Sequence, residues 1–195
     1  MKAQEYMDEI DRKILAQLQK NSRTTFEELS RIIGYSSMGA KKRFDKLIKD
    51  GKVATTATLN TDQFNLHPAI IFLEMENAEA MNNLMERFKQ CPRVINIFRT
   101  MGGYNLIALV IAEDQDTLES ISIERCSLRS SAGIRRSEFY PIGGVEYSPH
   151  LLVREYLTHK DLSIAPCNVD CRPCPRFHQQ KCGGCPATHY YKGSK

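Results

Sequence analysis

The chain has 195 residues, 42% of them apolar, and a net charge of +4, which allows one or two soluble domains with ordinary cores. Its longest apolar run, 106–112, is seven residues, far short of the roughly 20 that a membrane-spanning helix needs. The opening MKAQEYMDEIDRK is polar and has no apolar stretch before a cleavage site, so no secretory signal is read there and a cytoplasmic protein is expected.

Charge is unevenly spread. Residues 1–56 carry 12 Lys and Arg against 8 Asp and Glu, residues 57–148 carry 8 against 12, and residues 149–195 carry 7 against 3. A basic head and a basic tail flank an acidic middle, and basic segments suit polyanions such as nucleic acid.

Three short helices are predicted first. Met7, Ile10, Ile14, Leu15 and Leu18 recur at helical spacing, with Asp8 as N-cap of a helix to Leu18. Thr25 and Glu28 form a capping-box pattern before a second helix, whose buried face is expected from Phe26, Leu29, Ile32 and Ile33 and whose stop is Gly34. A third helix, Ser37 to Asp50, is expected to bury Ala40, Phe44, Leu47 and Ile48. Two helices, a glycine turn and a third helix make a helix-turn-helix. The outward positions of the third helix are basic. Lys41, Lys42, Arg43 and Lys46 are candidate contacts to DNA, and Ser36 and Ser37 lie where the helix N-terminus meets a phosphate.

The stretch from Met7 to Val53, with DEIDRKIL, the LS…IGYS turn and the closing DGKV, resembles the DNA-binding half of Lrp/AsnC transcriptional regulators. The resemblance implies a winged helix-turn-helix that binds double-stranded DNA and no enzyme activity. Gly39–Ala40 departs from the pattern, which has a larger, β-branched pair there.

The middle reads as strand, helix, two strands, helix, strand. The elements are Ile70–Met75, Ala80–Phe88, Val94–Thr100, Leu106–Ala112, Asp116–Arg125 and Ile134–Tyr140, preceded by a Thr-rich linking strand over 54–64. This βαββαβ order is ferredoxin-like, an α+β fold. One sheet face is left open, and a second copy of the chain is its expected cover. PRVINIFRTMGGYNLIALVIAEDQDTLESI resembles the effector-binding (RAM) domain of the same family. The resemblance implies a small-molecule effector site at Gly103, Tyr104 and Asn105, where Asn105 stands in place of the usual Asp. Arg129, Arg135 and Arg136 are read as solvated, and Cys91 and Cys126 as isolated small core residues.

The tail departs from that pattern. Leu151–Leu157 is expected to be a short helix. Five of the seven cysteines follow, spaced Cys167-x3-Cys171-x2-Cys174-x7-Cys182-x2-Cys185. In a reducing compartment such clusters are thiolate ligands sooner than disulfides. With four prolines and no hydrophobic periodicity, the segment is expected to lack a core and to be stapled by metal. A [4Fe–4S] cluster is the favoured cofactor and zinc the alternative, since both take four cysteines. His178 and His189 are read as exposed. Soft thiolates also select Cu(I), and some archaeal Lrp-like regulators sense copper through wider-spaced cysteine extensions. The domains expected are 1–56, a linker over 57–66, 67–148, and the tail over 149–195.

Overall fold

The computed structural model describes residues 7–193, and the chain divides after Thr56 into two compact units. The head has helices α1 (Glu9–Lys20), α2 (Phe26–Ile33) and α3 (Ser37–Lys49). Each begins on a local cap. Asp8 accepts from the Asp11 amide at 2.8 Å, Ser36 accepts from Gly39, and Thr25 and Glu28 close a complete capping box. Gly34 caps α2 at φ 71°. Ile14, Leu29, Ile33 and Ala40 form the centre, with Ile10, Leu18, Phe26 and Phe44 packed round it. Two expected core residues lie outside: Ile32 is 46% exposed and Ile48 is 37% exposed. Each is the neighbour of a buried residue (Ile33, Leu47), and a step of one residue turns an α-helix by about 100°.

In the second unit, the 54–64 strand reduces to β1 (Leu59–Asn60). It pairs with β6 (His150–Leu151), so the start of the unit is tied to the chain beyond the sheet. The other strands are β2 (His67–Met75), β3 (Val94–Arg99), β4 (Leu106–Ala112) and β5 (Ile134–Pro141); the helices are α4 (Ala78–Phe88) and α5 (Gln115–Ile123). The βαββαβ order is as expected, and the antiparallel sheet runs β3-β4-β2-β5. Alternation sorts its faces. Ala69, Ile71 and Leu73 of β2 meet Leu106, Ala108 and Val110 of β4, beneath Leu84 and Phe88 of α4 and Leu118 and Ile121 of α5. On the opposite face Phe72 is partly exposed, and Phe98 and Tyr140 are about half exposed. Among the described residues no helix is long and apolar enough to cross a membrane.

The tail corrects three expectations. Leu151–Leu157 is not a helix: β6 ends at Leu151 and a single 3-10 turn spans Glu155–Leu157. The only later helix is the four-residue α6 (Pro175–His178) among the described residues. Nor is the tail a separate body, since the linker, the sheet and the tail are one unit. Ala165, Cys167, Cys171, Phe177, Cys185 and Ala187 are buried in the same core as the sheet and its helices. The tail therefore takes its core from the helix side of the sheet domain, where expectation had it lacking one.

Candidate nucleic-acid interface and thiol site

On α3, Lys41, Lys42 and Lys46 are exposed, beside exposed Ser36, Ser37 and Met38. Their ammonium groups stand clear of the Ala40–Leu47 buried stripe, as cations meant for phosphates do. The Ser36 hydroxyl accepts from the Gly39 amide at 3.1 Å, so it both caps α3 and sits at the positive end of the helix.

Arg43 is placed differently. Its Nη1 donates to Asp8 Oδ2 at 2.7 Å and Asp11 Oδ1 at 2.8 Å, and its guanidinium lies 5.3 Å from the Tyr35 ring centre. It ties α3 to the start of α1 instead of reaching outward, which withdraws it from the DNA-contact set. Gly39 also gains a reason: a Cβ there would stand 3.3 Å from Ser36 Oγ and 3.4 Å from the Tyr35 ring, crowding the cap.

In the loop before β4, the Asn105 side chain accepts from the Met75 amide and donates to the Met75 carbonyl, both at 2.8 Å. It extends the β2–β4 ladder past Leu73 as a peptide group would. An aspartate has no donor for the second bond, which accounts for the amide at this position. Both polar ends of Asn105 are thus spent on backbone. A carboxylate nearby is Glu138, which accepts from the Tyr104 and Tyr140 hydroxyls; Arg136 lies 4.4 Å from the Tyr104 ring centre, within a weak ion pair's reach of Glu74 at 3.6 Å. The two tyrosine hydroxyls hold the Glu138 carboxyl below its ordinary range. Gly103 is exposed and flanks this group. Arg129 is not solvated: it bonds Ser137 Oγ at 3.0 Å and the Ser122 carbonyl at 3.2 Å.

The thiols converge. Cys91, Cys126, Cys167, Cys171, Cys182 and Cys185 line one cavity of about 40 Å³ under the tail. Cys126, Cys171, Cys174 and Cys182 line a second, of about 190 Å³. Three cysteines are common to the two, and together the cavities take in every cysteine of the chain. All seven are free of disulfides. Among the described residues no three His, Cys, Asp or Glu side chains are close enough to share one metal ion. The thiols instead surround a space. Burial pushes the Cys91 thiol up to about 11 and those of Cys171 and Cys185 to about 12, with neighbouring cysteines adding to the rise. Each is a neutral S–H at pH 7 unless a metal displaces its proton. His178 and His189 are exposed.

Arginines fix the tail over this space. Arg93 is buried, pairs with Glu113 at 2.8 Å and donates to the Gly184 carbonyl at 2.6 Å. Arg87 of α4 donates to the Cys167 carbonyl at 3.2 Å, and Arg176 reaches back to Ser120 and Glu119 of α5. The Cys182-Gly-Gly-Cys185 knuckle is packed without slack. A Cβ on Gly183 would stand 2.5 Å from the Gly193 carbonyl oxygen, and one on Gly184, at φ 88°, 3.0 Å from the Phe177 ring.

Residues 7–54 match the winged helix-turn-helix DNA-binding family, and residues 68–142 match the Lrp/AsnC ligand binding domain. The chain is 31% identical over 115 residues to the uncharacterized HTH-type transcriptional regulator YezC of Bacillus subtilis, spanning 58% of this chain and 81% of that one. The chain belongs to the Lrp/AsnC family of helix-turn-helix transcriptional regulators. It is also 29% identical over 135 residues to the HTH-type transcriptional regulator Rv2324 of Mycobacterium tuberculosis, spanning 68% of this chain and 88% of that one. The fold matches that of the transcriptional regulator NMB0573 from Neisseria meningitidis, solved as a complex with L-Met. The TM-score is 0.65 at 23% identity, covering 76% of this chain and 96% of that one. An Lrp/AsnC protein is a DNA-binding regulator of transcription and not an enzyme.

The Lrp/AsnC match stops at Ile142, before the tail. Sequence reasoning missed Glu138, Arg93 and the place of Cys91 and Cys126 in the thiol site. One signal for the cysteines was present: Cys91 and Cys126 each lie three residues beyond the last residue of a sheet-domain helix, Phe88 and Ile123. In a twofold βαβ repeat these are equivalent positions, each just past the C-terminal end of its helix.

Proposed function

We propose that this Lrp/AsnC regulator binds DNA with a strength set by a metal centre in the thiol cavities. The observation that carries the reading is the convergence of all seven cysteines beneath the tail. A tetrahedral zinc site needs four donors within about 2.0–2.3 Å of one point. A [4Fe–4S] cluster binds each thiolate to a different iron, so ligands ranged round a space favour the cluster, with zinc as the alternative. Cys167, Cys171, Cys174, Cys182 and Cys185 supply ligands from the tail. Two copies of the chain pair through the open sheet face around Phe72, Phe98 and Tyr140. Each copy lays α3 in a major groove of a roughly palindromic operator, with Lys41, Lys42 and Lys46 neutralising phosphates. Arg43 orients α3 from behind. The cytoplasm keeps the thiols reduced and available.

Protein made without oxygen is expected to be brown, with iron and visible charge-transfer absorption. Its DNA affinity should change by about 5–150-fold when the metal is stripped, the usual range of an allosteric coupling. A second reading makes an amino acid the effector and the tail a zinc clasp or docking module. Glu138 favours it, as a carboxylate beside Gly103 and Tyr104 suited to an α-ammonium group. Colourless protein with stoichiometric zinc, and equal DNA affinity with and without it, decides for that second reading.

A further inference from the structure

The buried stripe of α3 fixes which of its side chains stand farthest out. Ala40 and Leu47 are buried, and each residue turns a helix by about 100°. Met38 and Asp45, seven residues apart, therefore fall within about 20° of each other and about 160–180° from Leu47. Lys41 and Lys46 lie on either side of that line, about 60° and 80° from Met38. Met38, Lys41, Lys42 and Asp45 follow the i, i+3, i+4, i+7 row by which a helix presents one face, the way a recognition helix meets the floor of a major groove. Neither end of the row serves the head. Met38 is 75% exposed and stands outside the core built on Ile14, Leu29, Ile33 and Ala40. Asp45 is exposed and sits inside α3, where it caps neither end. Lysines 41, 42 and 49 lie one turn from it, yet among the described residues the only ion pairs of α3 are those of Arg43. A carboxylate on the outermost line of a basic helix repels phosphate, so it lowers affinity for DNA in general. It favours one sequence over another where a base edge offers it a donor.

We propose that Met38 and Asp45 read base pairs directly: Met38 lies against the 5-methyl group of a thymine, and Asp45 accepts a hydrogen bond from the 4-amino group of a cytosine. This rests on the placement of α3 in the major groove given above. In that groove thymine shows a methyl group and cytosine an amino donor. The unbranched, polarisable side chain of methionine suits the first, and an ionised carboxylate, which only accepts, suits the second. Guanine offers only acceptors there, and against a carboxylate those repel, so Asp45 also rejects the wrong base. Seven residues rise about 10.5 Å along a helix, which is about three base-pair steps of 3.4 Å. Each half-site is therefore read as a thymine and a cytosine about three base pairs apart, with Lys41 and Lys46 on phosphates to either side.

The test uses the full chain and duplex DNA that it selects from a random-sequence library. The selected sites should carry the thymine and the cytosine at that spacing in each half. Replacing the thymine by uracil removes the 5-methyl group alone. It should weaken wild-type binding about 4-fold, the value of one buried methyl group, and leave Met38→Ala indifferent. Asp45→Asn should exchange cytosine for adenine, since an amide bonds the adenine edge through both its donor and its acceptor. Asp45→Ala should lose about 5–150-fold of discrimination at that pair, the usual effect of one wrong base pair. It should also bind random-sequence DNA more tightly, because one negative charge is gone. Circular dichroism confirms that each variant folds. No uracil penalty in the wild type, or one that Met38→Ala keeps, overturns the proposal. So does an Asp45→Ala protein that gains affinity for all DNA and keeps its base preference, since that is the behaviour of a plain solvated carboxylate. Undiminished binding by Lys41→Ala and Lys46→Ala would instead show that α3 does not meet the DNA, removing the groove placement itself.

Discussion

In the head, each helix closes on signals a few residues away: Asp8 on Asp11, Thr25 on Glu28, Ser36 on Gly39, all three residues apart. In the tail, the bonds that fix the chain span long distances. Arg87 reaches Cys167 across 80 residues, Arg93 reaches Gly184 across 91, and Arg176 reaches Ser120 across 56. Its apolar contacts are equally remote, since Phe177 and Ala187 share a core with β2 and α4. The head can therefore form from its own segment, whereas the tail has a definite shape only on a finished sheet domain. Local closure costs little chain entropy, and long loops are ordered only when contacts at their ends outweigh that cost.

The strongest way to break this contrast is Phe177→Ala. The ring is buried against Tyr190, edge to face at 5.7 Å, with Lys192 Nζ 3.8 Å from its centre. Its loss should destabilise the sheet unit by about 3–5 kcal/mol and leave the head unchanged within about 0.5 kcal/mol. Urea unfolding followed by amide signals from each unit separates the two. A sheet unit that keeps its midpoint would mean the tail merely rests on the surface.

Thr25→Ala probes the other side of the contrast. Removing the cap should cost the head about 1 kcal/mol, with no change in the sheet unit or in thiol reactivity. A matching loss in the sheet unit would show that the head does not stand on its own.

The smallest effect is electrostatic. Asp8 is held below the ordinary aspartate value of 3.8 by the Asp11 amide first and Arg43 next. A depressed carboxyl contributes stability that is complete above 3.8 and is lost as pH falls through its lower folded value. Arg43→Ala should therefore make the acid-side decline of head stability shallower below pH 3.8. An acid decline identical to wild type would remove Arg43 from the clamp.

Legibility followed the same divide. Caps, glycine stops and helical spacing located the three head helices, and apolar runs the βαββαβ order, because those signals are local. Ile32 and Ile48 misled, since an apolar residue one step from a buried one reads as core by composition and not by angle. Arg43 misled because its partners lie on α1, more than 30 residues earlier, and a basic helix looks alike whether its cations face water or an aspartate. Asn105 read as an effector-site residue in place of Asp, and only the register of β2 against β4 shows its side chain bonding the Met75 backbone like a strand-end peptide. The tail cysteines announced themselves by spacing. Cys91 and Cys126 did not, because what unites them with the others is topology: two equivalent helix ends and a segment more than 40 residues further on.

The shared core also sets a timetable during synthesis. The sheet is complete in sequence at Pro141, but Ala187 is still to come. At the ordinary elongation rate of about 5–20 residues per second, the intervening stretch of about 45 residues takes several seconds. For that interval the helix side of the newborn domain is an open, thiol-bearing surface. A chaperone has its opening then, before Phe177 and Ala187 shut the space from above.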